Sequence, residues 1–382
     1  TQDDDLLPFA VNGAAPPVND IDAEVDTTLA EVRLSSHPTP DLRWNVDYTY
    51  SERDNDTDRR RWDYVVTDRT NPSGTRVNTP YSFSQSLLRA RMAYRLPKSM
   101  EVQAGARYDR IDRTFQSVDE THEYGGWGRL SFRPWADMEA AFEVGVSRRD
   151  KTGYEQVAHL TDFDEVQHPL MRIYNLTDRD RQEFGASLSW TLTPAVTVAV
   201  DFDAYEDDYE GTELGLQEGS GQLATGDLSV VLSERLSASA FVTHDRLRAD
   251  QAGLEFWQVP WQAESEYTTN TFGLGVNWVA VPGRLDLRGD LTYSEHWGEI
   301  SYQNAPDFPD IESEIVAVNL RGDYRVDKRQ SLVVRLRYES YDEDDWAKDG
   351  AVNDLATVLD LGRAEFDEDA VMVSVAYRYR FD

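Results

Sequence analysis

The sequence predicts an all-β fold, an antiparallel transmembrane β-barrel of about 15–16 strands with short periplasmic turns and long extracellular loops. Three observations predict it. Apolar residues recur at every second position through most of the chain. Side chains alternate faces along an extended strand, so this period gives each segment one apolar and one polar face. The segments are joined alternately by short turns and by long polar stretches, an asymmetry between two ends that a soluble sandwich has no reason to keep. The last segment, Val371 to Asp382, places Val371, Val373, Val375, Tyr377, Tyr379 and Phe381 on one side and Met372, Ser374, Ala376, Arg378 and Arg380 on the other. Its last outward residue, the aromatic Phe381 one position before Asp382, resembles the closing strand of bacterial outer-membrane barrels, which the insertion machinery reads. Tyr377, Tyr379 and Phe381 are the residues of that signal.

Taken in order, residues 1–22 are acidic and proline-rich and read as an N-terminal loop. The barrel is expected over 23–382. Its first strand covers about Glu24–Ser36, turns at His37–Pro40, and returns with Leu42, Trp44, Val46, Tyr48 and Tyr50 on one face. A long polar loop follows, about 53–82. The same unit then recurs. Leu88–Leu96 turns at Pro97-Lys98-Ser99 into Met100–Tyr108, and Gly126–Phe132 turns at Pro134–Asp137 into Met138–Val146. A loop over about 148–180 leads to Phe184–Leu192 and, past Pro194, Val196–Phe202. Leu228–Leu232 pairs with Leu236–Val242, Phe272–Trp278 with Leu285–Tyr293, and Val316–Val326 with Leu332–Tyr338. A loop over about 341–368 precedes the closing strand.

The face opposite the apolar one carries Arg89, Arg91, Arg95, Glu139, Glu143, Asp201, Asp203, Asp286, Arg288, Asp290, Arg321, Asp323, Arg325, Arg335 and Arg337. So many charges cannot pack in a dry core, but they can line a wet lumen or a plug. Strand parity adds an expectation. The last strand runs toward the periplasm, so counting back makes the first run inward from outside. Single-chain bacterial barrels have even strand numbers, so at least one more strand is expected upstream, with this chain the C-terminal part of a larger barrel.

Composition narrows the function. Net charge is −33, from 71 acidic and 38 basic residues, which argues against nucleic acid as a partner. There is no cysteine, hence no disulfide scaffold, thiolate metal site or cysteine nucleophile. No stretch approaches the roughly 18 apolar residues of a membrane helix, which leaves a barrel open. The six histidines have no three- or four-residue spacing and read as loop and strand-surface residues. Glu206-Asp207-Asp208, Asp342–Asp345 and Glu365–Asp369 are expected in outer loops; Ca²⁺ or lipopolysaccharide bridging is open to them, and solvated loops are the simpler reading. Gly125-Gly126-Trp127-Gly128 lacks the lysine and helix of a phosphate loop. No Ser/His/Asp set stands out, so no catalytic, cofactor or metal residues are expected and the chain is not read as an enzyme.

Within the mid-chain loop stands Arg172-Ile173-Tyr174-Asn175-Leu176-Thr177-Asp178-Arg179-Asp180-Arg181. This resembles a "YNLADRDR"-like signature of the MtrB/PioB family of decahaem-associated outer-membrane proteins. Thr1-Gln2-Asp3 with Leu6-Leu7-Pro8-Phe9, and Ala106-Arg107-Tyr108-Asp109 with Asp112-Arg113-Thr114, are similar to that family too. The resemblance implies a bacterial outer-membrane, porin-like sheath that holds a periplasmic multihaem c-type cytochrome, often with a second cytochrome outside, for electron transfer to or from extracellular metals or iron. The haem belongs to the partner, and this chain has no Cys-x-x-Cys-His attachment site. The alternative is a general diffusion porin or a substrate-specific channel. For Tyr174, Asn175, Leu176, Asp178, Arg179, Asp180 and Arg181 two roles are open: charge pairing that folds the loop inward, or docking of the cytochrome.

Overall fold

The computed structural model describes residues 22–64, 74–155, 168–255, 259–303, 309–344 and 367–381. Among these residues seventeen strands succeed one another: β1 (Val25–Thr39), β2 (Leu42–Asn55), β3 (Arg61–Tyr64), β4 (Gly74–Val77), β5 (Phe83–Leu96), β6 (Met100–Arg113), β7 (Glu120–Trp135), β8 (Met138–Lys151) and β9 (Arg179–Thr193). Then come β10 (Val196–Asp208), β11 (Gly215–Ser233), β12 (Leu236–Glu255), β13 (Val259–Val281), β14 (Leu285–Tyr302), β15 (Ile311–Arg325), β16 (Gln330–Asp344) and β17 (Glu368–Tyr379). Fifteen of them form one sheet in the order β1-β2-β5 and then consecutively to β17, each antiparallel to its neighbours. Among the described residues β1 and β17 each have one neighbour and form the two edges of the sheet. β3 and β4 make a separate hairpin inside the predicted 53–82 loop.

Among the described residues the sheet is one layer with no dry core behind it. The buried apolar residues are few and mostly small, such as Ala93, Ala140, Ala141 and Val333. Large ones stand in the open on the predicted outward face: Val144, Val146, Leu274, Val276, Val371, Val373 and Val375 are all exposed. Left in water, such a face would forgo roughly 25 cal/mol per Å² of apolar surface; hydrocarbon removes that penalty. Aromatic residues band this face at two heights. Tyr94, Trp135, Trp190, Trp278 and Tyr324 lie toward the short turns, and Tyr48, Tyr108, Tyr124, Phe184 and Phe272 lie toward the other end. Along β9 and β13 the bands are six residues apart, about 20 Å of strand at the usual rise and about 15 Å of height at the usual tilt, which fits within an outer-membrane apolar band.

The short-turn end matches expectation, with β1–β2, β7–β8, β9–β10 and β11–β12 each joined by two residues. The opposite end differs in two ways. β11 to β14 run for 19, 20, 23 and 18 residues, so stretches expected as outer loops are paired strand above the membrane. Glu206, Asp207 and Asp208 therefore end β10, Asp342–Asp344 end β16, and Glu368 and Asp369 begin β17, rather than lying in loops. Asp345, Glu365 and Phe366, like residues 1–21, lie outside the described residues.

Candidate functional site

The inward face of the sheet is the first candidate. Its pairs follow from period two: residues i and i+2 share a face, and an arginine two positions from an acid on one strand can close on it. Arg288 donates to Asp290 at 2.9 and 3.2 Å, Arg321 to Asp323 at 2.6 and 2.9 Å, and Arg107 to Asp109 at 2.7 Å. Others cross strands: Arg33 to Asp47, Arg43 to Glu101 at 2.7 Å, and Arg129 to Glu143 at 3.4 Å. The face stays polar because its large rings lie flat. A Cβ built on Gly105, Gly221 or Gly273 would overlap the ring of Trp127, Tyr205 or Phe241 on the neighbouring strand. Glycine at those three points lets each aromatic ring rest on bare backbone instead of standing into the bore.

The second candidate is a clamp at the outer end, built by the predicted motif. Tyr174, Asn175 and Leu176 form a turn, but Arg179, Asp180 and Arg181 open β9 instead of lying in the loop. Strand geometry then sorts the Asp-Arg-Asp-Arg alternation by face: Arg179 and Arg181 point inward and Asp180 outward, so neighbours in sequence cannot pair with one another. Their partners come from other strands. Arg181 grips Asp207 of β10 through two bonds of 2.6 Å, and its guanidinium lies 4.7 Å from the Tyr205 ring centre. Arg179 reaches Glu123 of β7 at 3.2 Å, and its Nε, without a hydrogen bond, is 3.8 Å from Asp207. Asp180 is 3.4 Å from Arg148, which also holds Asp150 and Glu210 on the outward side. Asp178 accepts from the Lys151 backbone at 2.8 Å and from its ammonium. The motif thus pairs across strands rather than within itself.

Backbone carbonyls complete the clamp. Arg149 donates to the carbonyl of Thr177 at 2.8 Å and to that of Tyr174, so the turn is held from β8. Met171 bridges to Leu214 in the β10–β11 connection, and Glu155 donates to the Ser117 carbonyl in the β6–β7 connection at 2.7 Å. Val118, Leu176, Tyr209 and Leu214 are buried in this region. Burial pushes the Tyr209 phenol upward, helped by the Asp207 carboxylate, and lowers the Arg149 pKa, with Arg179 adding to the effect. Three outer connections are therefore tied together, which no local sequence pattern announces.

At the closing strand Tyr377, Tyr379 and Phe381 share the outward face, with Phe381 84% exposed. Tyr377 donates to Gln330 at 2.9 Å, and the Tyr379 and Phe381 rings meet edge-on at 4.8 Å. Of the histidines, His122 contacts Tyr108 and Glu120, His244 contacts Asn270, and His296 contacts Thr269. Among the described residues no three His, Asp or Glu side chains converge as a metal site. The predicted outer acidic clusters thus form no such site within the described residues.

Comparison with known proteins places this geometry. The family model "outer membrane beta-barrel porin, MtrB/PioB" matches residues 1–381. A relative, outer membrane protein MtrB of Shewanella baltica (strain OS185), is 28% identical over 386 residues, covering 99% of this chain and 54% of its own length. The chain thus spans about half the length of that curated relative. Among solved structures, the outer membrane transporter YddB from Escherichia coli is 9% identical with a TM-score of 0.40, covering 84% of this chain and 55% of that one. The anion-selective porin from Comamonas acidovorans is 13% identical with a TM-score of 0.35, covering 94% of this chain and all of its own. The matched family is one of porin-like outer-membrane barrels, not of enzymes. The apolar outward face, the two aromatic bands and the match along the whole chain agree: this is an outer-membrane β-barrel protein, and it belongs to the MtrB/PioB family.

Proposed function

We propose that the barrel is a sheath that houses a multihaem c-type cytochrome, so that electrons cross the outer membrane to or from extracellular metals or iron. The observation that carries this reading is the inward face. It is polar or charged on strand after strand, and its aromatic rings lie flat against the wall. Such a wall suits a hydrated protein guest, and hydrocarbon outside offers no site for charge to hop. The haem would be the guest's: with no cysteine, this chain cannot form the thioether links of a c-type haem. The clamp would tie the outer connections together on the inward side of the wall, with a second cytochrome outside. Tyr377, Tyr379 and Phe381 would serve as the insertion signal. Among the described residues the sheet has unpaired edges at β1 and β17 and an odd number of strands, which supports further strands in the whole protein.

The deciding experiment removes the gene from its host and measures extracellular iron turnover, while the tagged protein is purified from native membranes and stained for haem. Loss of turnover and a haem-staining partner are expected. Normal turnover, no haem, and solute flux through liposomes would instead establish the diffusion porin.

A further inference from the structure

Charge on the inward face is segregated by strand. From β8 to β12 that face carries Glu143, Glu183, Asp201, Asp203, Asp227 and Asp245, and on the inward positions of β9 to β13 no lysine or arginine lies nearer the short turns than Arg181. Register sets Asp201 beside Ser187 and Thr225, Asp203 beside Gly185 and Leu223, Asp227 beside Ala199 and Phe241, and Asp245 beside Leu223 and Thr269. The nearest inward arginines are already occupied: Arg129 by Glu143, and Arg181 by Asp207 and Glu183. Asp201, Asp203, Asp227 and Asp245 form no ion pair among the described residues. A hollow of about 360 Å³ lies in this wall beside the Tyr205 ring, lined by Glu143, Glu183, Asp203 and Asp245 among others.

The flanking strands carry arginines as well as acids, and some of them pair: Arg325 with Asp286 and Arg337 with Glu339. Arg288, Arg321 and Arg335 stand directly opposite one another across β14, β15 and β16, and Arg89 stands opposite Arg107 across β5 and β6. Like charges directly opposite on a sheet destabilise it. Asp290 and Asp323 offset Arg288 and Arg321, whereas Arg335 has no carboxylate in bonding range among the described residues. A wall that leaves four carboxylates unpaired in one sector, and Arg89, Arg91 and Arg335 without an ion pair among the described residues in two others, suits a complementary guest.

We infer that the inward face is a docking surface keyed by charge. The occupant is the cytochrome of the sheath reading, on which this inference rests. Its lysine-rich flank faces Asp201, Asp203, Asp227 and Asp245, with a cationic side chain entering the hollow. Carboxylates, haem propionates among them, face the arginines of β5–β6 and β14–β16, whose planar guanidinium groups suit carboxylate. Because the unpaired charges of the sectors differ in sign, rotating the guest about the bore axis sets like charge against like. The wall therefore fixes the angle at which the haem chain stands, not merely its containment.

The test uses the full-length protein in its host. Asp201, Asp203 and Asp227 are changed together to asparagine, and in a second variant to lysine. A control changes the outward Glu206 and Glu218 to glutamine and Asp208 to asparagine. Folding is verified by the mobility shift of the unboiled barrel, and haem retained per barrel is measured across a salt series. Retention at least tenfold lower in the asparagine variant, lower again with lysine, with a shallower salt dependence for asparagine and an unchanged control, supports the inference. Equal retention in all variants with an unchanged salt slope overturns it while the sheath stands. If the unaltered protein retains no haem, the sheath reading fails and the inference with it. Loss of cation selectivity in the asparagine variant with haem retention intact would assign these aspartates to a solute pathway and overturn the inference.

Discussion

Changing Asp207 to asparagine keeps the shape of the clamp and removes the charge at its centre. The Asp207 side chain is 4% exposed and accepts two bonds of 2.6 Å from Arg181, with Arg179 close by. Two unit charges about 3.5 Å apart attract by roughly 5 kcal/mol at an effective dielectric of about 20. Desolvation offsets much of that in the intact pair, but it does not when one partner goes: the remaining cations are left beside a neutral amide. Breaking such a buried pair removes about 3–5 kcal/mol, or roughly two to four decades in the closed-to-open ratio of the region. The loss should be local, because the rows that cross the membrane share no partner with Asp207. Hydrogen exchange in residues 170–178 and 209–214 should accelerate by those decades, while the heating temperature that abolishes the folded-barrel band shifts by only a few degrees. A double-mutant cycle of Arg181→Ala and Asp207→Ala measures the coupling directly. A coupling below about 0.5 kcal/mol, or unchanged exchange in both connections, would refute the clamp as the cause of order there.

Further outcomes follow from the same geometry. Gly105→Ala forces the Trp127 ring off the wall and should cost about 1–2 kcal/mol in urea unfolding, a penalty that disappears when Trp127→Ala is already present; equal penalties in both backgrounds would contradict the packing. Phe381→Ala should lower the yield of folded barrel in cells while refolding into detergent proceeds normally, and equal yields in cells would deny Phe381 a part in insertion. The Asp342 carboxyl is pushed upward first by the Asp367 carboxylate, with Glu314 adding to it. A raised carboxyl binds its proton more tightly folded than unfolded, so its contribution to stability worsens as pH rises through the carboxylate range. Asp342→Asn should therefore slow exchange at the outer ends of β16 and β17 at neutral pH, with the advantage lost below about pH 4 and reduced by salt. An advantage that persists at low pH would exclude the Asp367 repulsion.

The fifteen strands of the sheet were legible because lipid on one side enforces period two: a slip of one residue would turn Val276 or Val373 into the bore and a charge into hydrocarbon. Where lipid ends, that constraint ends. The outer part of β13, Pro260-Trp261-Gln262-Ala263-Glu264-Ser265, turns polar Gln262 and Glu264 outward and loses its apolar alternation, while its backbone continues to pair with β12 and, from Ala263, with β14. The four-residue strands β3 and β4 were too short to carry a period. The motif was visible as a sequence, but its chemistry was not. The reach from Arg181 to Asp207 or from Arg179 to Glu123 depends on register across three strands, which local spacing does not encode. Isolated Val118, Leu176 and Leu214 gave no signal either, since single apolar residues in polar connections have no period to reveal their burial.

The staves differ in height. β10 is 13 residues long and β13 is 23, and at the usual rise the difference is about 33 Å measured along the strand. The palisade therefore climbs on one flank, where β11 to β14 project past their shorter neighbours. Among the described strands the outer rim is thus uneven, and anything arriving from the medium meets the β11 to β14 parapet before the strand ends on either side of it.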